Sequence, residues 1–283
     1  MSNSIPSPTR ATPGSQPVHS RGPTSTPAPS MEVGADRWLT DRIVTVYVGP
    51  EEKRWAVHEK LLSSRSRYFN HVFNGSPDGT PGSDELKMPK EDPKLFGLLI
   101  RWLYGTAFAT SGGARVFRFS PPDGKDVTVR DYLGLYILAE TLTIIPVKNA
   151  AIDCLYDYFK LGLDDPSVEA RCPDLRDVRY IFDHTPPESP MRKLLIVHAM
   201  LYLFSKKRRA VPRTILLPDE WEETITQSGD IGWAMIKMLS EWKWTMGSGG
   251  NVPEMKIKHR QEFHEVVPVM LEGLGEVKAE SVE

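Results

Sequence analysis

The sequence predicts an α/β fold of the α+β type, in which a small sheet is clasped by helices and an all-α extension follows. Two β-branched and aromatic runs, Ile43–Val48 and Arg54–His58, lie close together in the chain. A third short apolar strand is predicted at Leu86–Met88. After these segments, the apolar residues recur mainly at helical spacing, which favours helices for most of the rest of the chain.

The three strands and the helices between them follow from local sequence signals. Gly49-Pro50 ends the first strand, so the first two strands form a hairpin across Gly49–Lys53. Glu59–Asn74 has helical periodicity, with a break near Ser63–Arg65 where small polar residues cluster. A polar loop, Gly75–Ser83, then leads to the third strand.

The next helix has a marked beginning and end. Asp92 can cap it, Pro93 suits its first turn, and Gly105 is expected to end it. Its buried face is predicted from the spacing of four apolar residues: Phe96, Leu99, Ile100 and Leu103. Residues 106–130 are interpreted as an insertion, with a possible hairpin between Arg115–Phe119 and Asp126–Val129.

The remaining helices are predicted from apolar spacing and from the loops that separate them. They are Tyr132–Ile144, Val147–Leu161, Asp174–Asp183, Met191–Phe204, Asp219–Gln227 and Ile231–Trp244. Gly247–Asn251 is predicted to be a flexible joint. Pro253–Leu274 is an amphipathic stretch that either folds back on the domain or serves a partner as a helix.

The composition divides the chain into four parts. Residues 1–34 are rich in Pro, Ser and Thr, so a disordered tail is expected. The main domain is predicted at 35–161, the helical extension at 162–246, and the joint with the amphipathic segment at 247–283.

The bulk properties exclude several classes of function. The net charge is −2, which provides no global attraction to nucleic acid or to an anionic membrane. The two cysteines, Cys154 and Cys172, form no C-x-x-C pair, so neither a disulfide framework nor a zinc cluster is expected. The start of the chain lacks an apolar signal-peptide core, and no apolar run is long enough to span a bilayer. We therefore expect an intracellular protein, cytoplasmic or nuclear.

The order of elements over Arg42–Gly105 resembles the BTB/POZ domain. The segments that carry the resemblance are Val44–Gly49, Val57–Leu62, Ser64–Phe69, Leu86–Pro89, Phe96–Gly105 and the helical pair Tyr132–Ala151. The helical tail, with Tyr180–Phe182 and Met191–Leu195, is similar to that of many fungal proteins with a single BTB domain.

The resemblance implies a non-enzymatic scaffold or adaptor that binds other proteins. Its partners would be a second copy of the chain, other proteins, or the cullin scaffold of a ubiquitin ligase. The family-motif positions that it assigns to structural roles are His58, Leu61, Leu62, Ser64, Arg65, Ser66, Tyr68, Phe69, Phe96, Leu99, Tyr104 and Gly105.

Two sequence features bear on which of these partners is bound. Ligase adaptors often carry an apolar residue two places before an acid in the loop before the third strand, but Gly75–Asp84 contains no large apolar side chain. Swapped dimers have a longer N-terminal helix, where this chain has only Trp38 and Leu39. The expected contact surface comprises exposed apolar side chains from Tyr132–Leu161 and from the edge Trp38–Ile43.

No catalytic, cofactor or metal motif is evident in the sequence. It contains no phosphate-binding glycine loop and no nucleophile elbow, and His259 and His264 lie on different helix faces. His58 could act as a base, but no motif pairs it with a nucleophile, so a structural role at the strand-to-helix corner is favoured. We expect no enzymatic activity and no cofactor.

Two further features have competing interpretations. The run Lys206, Lys207, Arg208, Arg209 is either a nuclear-import signal or a group of cations at the negative end of a helix dipole, and the second is favoured. The stripe Met235, Met238, Leu239, Trp242, Met246 is either an adaptable docking face or core, and core is favoured.

Overall fold

The computed structural model describes the chain in nine stretches, which are 42–75, 78–107, 127–164, 171–204, 219–227, 229–241, 244–247, 250–253 and 259–266. Several predictions fall outside these stretches: the tail 1–34, the strand Arg115–Phe119, the edge residues Trp38 and Leu39, Trp242, and the run Lys206–Arg209.

A three-stranded sheet forms the first part of the fold. It contains β1 (Ile43–Val48), β2 (Lys53–His58) and β3 (Glu85–Met88) in the order β2-β1-β3. The β1–β2 pair is antiparallel and the β1–β3 pair is parallel. Alternate β1 side chains, Val44, Val46 and Val48, are completely buried on one face. The predicted hairpin is confirmed.

Two short helices follow β2 and confirm the predicted break. Helix α1 covers Glu59–Ser63 and α2 covers Arg67–Asn74. Ser66 caps α2, because its Oγ accepts a hydrogen bond from the backbone N–H of Phe69 at 3.1 Å. The buried face of the two helices contains Leu61, Leu62, Phe69 and Phe73, and Tyr68 and Val72 are partly buried.

Helix α3 extends over Pro93–Ala107, so the prediction that Gly105 ends it is wrong. A glycine ends a helix by adopting a positive φ, and Gly105 does not have one. The buried residues Leu99 and Leu103 hold this part of α3 on the core, which offsets the helix-weakening effect of a single glycine. The predicted strand up to Val129 is also wrong, since Val129 begins α4.

Six more α-helices and a small hairpin follow α3 in the described residues. The helices are α4 (Val129–Thr141), α5 (Ile145–Asp164), α6 (Leu175–His184), α7 (Pro190–Phe204), α8 (Asp219–Gln227) and α9 (Gly229–Glu241). Asp174 caps α6, as its side chain accepts from Arg176 N at 2.8 Å. These helices confirm the predicted ones within a few residues at their ends.

The region after α9 differs from its prediction. Trp244 does not extend the helix but begins β4 (Trp244–Gly247), which pairs antiparallel with β5 (Gly250–Pro253). The structure thus has a hairpin where the sequence predicted a flexible joint, because aromatic and β-branched residues on either side of glycines also suit paired strands.

The described part of the predicted amphipathic stretch forms no α-helix. A four-residue 3₁₀ helix, Arg260–Phe263, is flanked by extended His259 and His264. In the described part of this stretch, Phe263 is buried but the side chain of Val266 is 88% exposed, so these two residues do not share one buried face.

Two hydrophobic cores share helix α4. Leu135, Leu138 and Ala139 pack in the core beneath the sheet, whereas Leu133 and Tyr136 pack in the core of the helical extension. Helix α4 is thus apolar on two sides and forms a wall of both cores, while Arg130 and Thr141 remain exposed. The predicted boundary after Leu161 stays a prediction, but α4 and most of α5 also belong to the extension's core.

Candidate protein-interaction surface

His58 lies at the corner where β2 ends and α1 begins. Its Nδ1 is 2.8 Å from the hydroxyl oxygen of Tyr104 on α3, and its backbone N–H donates to the same oxygen at 3.4 Å. The two rings form an edge contact with centroids 5.9 Å apart. This geometry connects the corner to α3 and suits the predicted structural role of His58.

Most of the remaining family-motif residues lie inside the core. Leu61, Leu62, Phe69, Phe96 and Leu99 are completely buried. Tyr68 is partly buried and makes an edge contact with the ring of Phe69 at 5.6 Å. The five completely buried residues form the fold and are not accessible to a partner.

The turn between α1 and α2 is attached to the end of α4. The Ser66 hydroxyl is buried and donates to the carbonyl oxygen of Leu142 at 2.6 Å. Arg65 stacks over Trp102 at 5.9 Å, and burial lowers the pKa of its guanidinium. The buried Oγ of Ser64 has no hydrogen-bond partner among the described residues.

A half-open cleft of about 380 Å³ lies beside this turn. Its walls are the α1–α2 turn, the α4–α5 turn and Glu265. Lys148, whose side chain is 5% exposed, forms ion pairs with both Glu140 and Glu265. Lys148, one of the cations that line this cleft, therefore already has carboxylate partners inside the protein.

Metal binding and membrane insertion find no support in the described residues. In those stretches, no three His, Cys, Asp or Glu side chains converge as metal ligands. No helix in the same stretches is long and apolar enough to cross a membrane. Cys154 and Cys172 form no disulfide.

The predicted contact surface is largely buried. On α4 and α5, most large apolar side chains pack inside, and the exposed ones among the described residues are Tyr158 and Leu161. The others pack either beneath the sheet or against the helical extension, which sequence periodicity could not show. From the predicted edge, Trp38 lies outside the described residues, whereas Ile43 is 53% exposed.

The sequence interpretation missed a second exposed apolar pair. Trp233 and Ile236 lie three residues apart on α9 and are 66% and 56% exposed. Met235 and Met238 of the same helix are buried, which confirms the interpretation of that part of the stripe as core. The helical spacing of Trp233 and Ile236 was a signal that could have identified this second face.

One comparison with known proteins identifies the first part of the chain. Residues 39–116 match the family model of the BTB/POZ domain. A search of curated proteins found no match. The match covers β1, β2, β3 and α1 to α3, including the His58–Tyr104 corner and Ile43. BTB/POZ domains bind other proteins, so this part of the chain is a protein-interaction module. The chain therefore contains a BTB/POZ domain, located within residues 39–116.

Proposed function

We propose that the protein is a non-enzymatic scaffold that self-associates through its BTB/POZ domain and presents its helical extension to further proteins. The observation that carries this proposal is the family match over residues 39–116. The shared helix α4 supports the scaffold role, because a partner held by the extension would keep a fixed position relative to the sheet.

Ile43 is the proposed centre of the contact between two copies. It begins β1 opposite His58 in the register and is 53% exposed. The neighbouring Arg42 fixes this end of the strand, since its guanidinium donates to the carbonyl of Phe73 at 2.7 Å and to Asp84 at 2.9 Å. An apolar side chain on such a well-held backbone loses little entropy when it is buried in a contact.

Sedimentation velocity on the full chain tests this surface. We expect reversible dimers of the wild type, and at least about tenfold weaker association for Ile43→Asp, because a carboxylate without a partner would be buried. Ile236→Asp, which introduces the same charge at a similarly exposed residue of α9, should associate like the wild type. Equal association of all three proteins would refute the role of Ile43.

A cullin-linked adaptor role is a narrower form of the same proposal. The described part of the loop, residues 78–84, is exposed and has no large apolar side chain to fill a cullin pocket. Co-purification of the full chain with a cullin scaffold would favour this role. Failure of the two purified proteins to bind at micromolar concentration would argue against it.

Nuclear regulation is the second candidate function. It depends on Lys206–Arg209, a basic run two residues after the end of α7. In this proposal the BTB/POZ domain oligomerises the protein and the run directs its import. Alanine at all four positions should then exclude the protein from the nucleus, and an unchanged distribution would end the proposal.

A further inference from the structure

Residues 259–266, here called the strap, lie against α5 through one buried anchor. Phe263 is 1% exposed, and its ring centroid lies 6.2 Å from that of Tyr156 on α5. The 3₁₀ helix that carries Phe263 contacts both α5 and α7. Its neighbours Gln261 and Glu262 are exposed, so the aromatic ring is the main apolar contribution of the strap.

Asn149 holds the backbone of the strap by a pair of hydrogen bonds. Its side-chain NH₂ donates to the carbonyl oxygen of Glu265 at 2.9 Å, and the Glu265 backbone N–H donates to Asn149 Oδ1 at 2.9 Å. An amide that pairs with both backbone groups of one residue would bind any residue at that position in the same way. Such a contact fixes the register of an extended segment without reading its side chain.

Charges on the two sides of Asn149 set the direction of the strap. On one side, Arg260 pairs with Asp157 at 3.0 Å and His264 lies 2.8 Å from Asp153. On the other, the Glu265 carboxylate pairs with buried Lys148 and accepts from the Tyr136 hydroxyl at 3.2 Å. The groove thus presents carboxylates towards Arg260 and His264, and towards Glu265 a lysine that it shares with Glu140.

The strap is held in the manner of a bound peptide. Its regular structure is one four-residue 3₁₀ turn, and Val266 at its end is 88% exposed. The ion pairs of Arg260 and His264 are partly exposed, and such pairs contribute little to stability. A segment with a single apolar anchor opens more easily than the helices beneath it.

We propose that the groove formed by α5 with α4 and α7 is a peptide-recognition site that the strap occupies in cis. A partner protein would displace the strap with a segment of the same chemistry. That segment has a basic residue, an aromatic residue three positions later and an acidic residue two positions after that, as in Arg260, Phe263 and Glu265. This proposal goes beyond self-association and does not depend on the BTB/POZ domain.

Fluorescence anisotropy with a labelled peptide of residues 258–267 tests the proposal. We expect the full chain with Phe263→Ala to bind this peptide at least tenfold more tightly than the wild type does, because its own strap no longer fills the groove. Adding Asn149→Ala should abolish the gain, and a peptide with alanine in place of Phe263 should not bind. A folded Phe263→Ala chain that binds no better than the wild type would overturn the proposal.

A second variant covers the case in which Phe263→Ala fails to fold. A site-specific protease site in place of residues 254–258 allows the otherwise wild-type strap to be cut from the chain after folding. The cut strap should exchange with the labelled peptide, and Asn149→Ala should speed its loss. A cut strap that neither dissociates nor exchanges would show that it is a fixed part of the core. If the cut strap were replaced only by the strap of a second copy of the chain, and not by the peptide, the proposal of a partner segment would also be contradicted.

Discussion

The hydroxyl of Tyr104 lies 2.8 Å from Nδ1 of His58, and this contact joins α3 to the corner between β2 and α1. The two residues are 46 positions apart in the chain, so the contact is set by the tertiary structure. The histidine ring also packs edge-on against the tyrosine. His58 therefore has a structural partner on α3.

Removing this hydroxyl should destabilise the BTB/POZ domain. We expect Tyr104→Phe to lower the free energy of unfolding by about 1 kcal/mol, because His58 Nδ1 loses its hydrogen-bond partner. Tyr158→Phe is the control, since that side chain is 39% exposed. Urea unfolding monitored by circular dichroism compares the two variants, and equal midpoints would contradict the assigned contact.

The N-terminus of α4 should depend on its capping box. Thr128 Oγ1 accepts from the Asp131 N–H at 3.2 Å, and the Asp131 carboxylate accepts from the Thr128 N–H at 2.9 Å and pairs with Lys94. We expect Thr128→Ala to cost about 1 kcal/mol of unfolding free energy. Thr141→Ala, an exposed change at the other end of α4, should alter it by less than about 0.5 kcal/mol. Chemical denaturation measures both, and similar losses would argue against the cap.

Buried His198 on α7 should make the protein sensitive to acid. Both ring nitrogens lack hydrogen-bond partners among the described residues, and burial lowers the pKa of the imidazole from 6.5 to about 4. Because the folded pKa is below the unfolded one, the stability contributed by the neutral ring is complete above about pH 6.5. This stability is lost as the pH falls from about 6.5 towards 4, because over that range the imidazole is protonated in the unfolded chain but stays neutral in the folded one.

The variant His198→Leu removes this titration. Between about pH 7 and pH 4, the wild type should lose on the order of 3 kcal/mol more unfolding free energy than the variant does. Denaturation at a series of pH values gives this difference. His71→Leu, at an exposed histidine of α2, should keep the acid sensitivity of the wild type. Parallel pH profiles for the wild type and His198→Leu would show that His198 is not buried as described.

Two glycines with positive φ should respond differently to alanine. Gly49 has φ +80°, and a Cβ there would lie 2.7 Å from Cγ of Pro93, whereas Gly79 has φ +91° and open space around it. We expect a loss of about 1 kcal/mol for Gly79→Ala from backbone strain, and about 2–4 kcal/mol for Gly49→Ala from strain plus the clash. Thermal unfolding of both variants tests this order. A larger loss of stability for Gly79→Ala than for Gly49→Ala would contradict the assigned clash.

Local signals were sufficient to predict much of the fold. The β-branched run Ile43–Val48 predicted a strand, the polar cluster at Ser63–Arg65 predicted a helix break, and Asp92 and Asp174 predicted helix starts. Each of these depends on neighbouring residues alone, so sequence spacing contains the information. The BTB/POZ match was predictable for the same reason, because its segments keep their order over a short stretch.

Long-range packing explains what the sequence did not predict. The spacing of the apolar residues of α4 is compatible with one buried helical face or with two. Leu133 and Leu138 lie in different cores because the helical extension packs against one side of α4. Phe263 depends on Tyr156, more than a hundred positions earlier in the chain, and helical periodicity alone does not identify such a contact. The exposed side of the two helices α4 and α5 was overestimated for the same reason.

The molar mass of the full chain in solution tests the central claim most directly. Multi-angle light scattering at a concentration of about 50 µM measures it without a label or a known partner. Self-association through the BTB/POZ domain predicts a mass near twice the 31.9 kDa of one chain. A mass of 31.9 kDa at that concentration would contradict the proposed scaffold dimer.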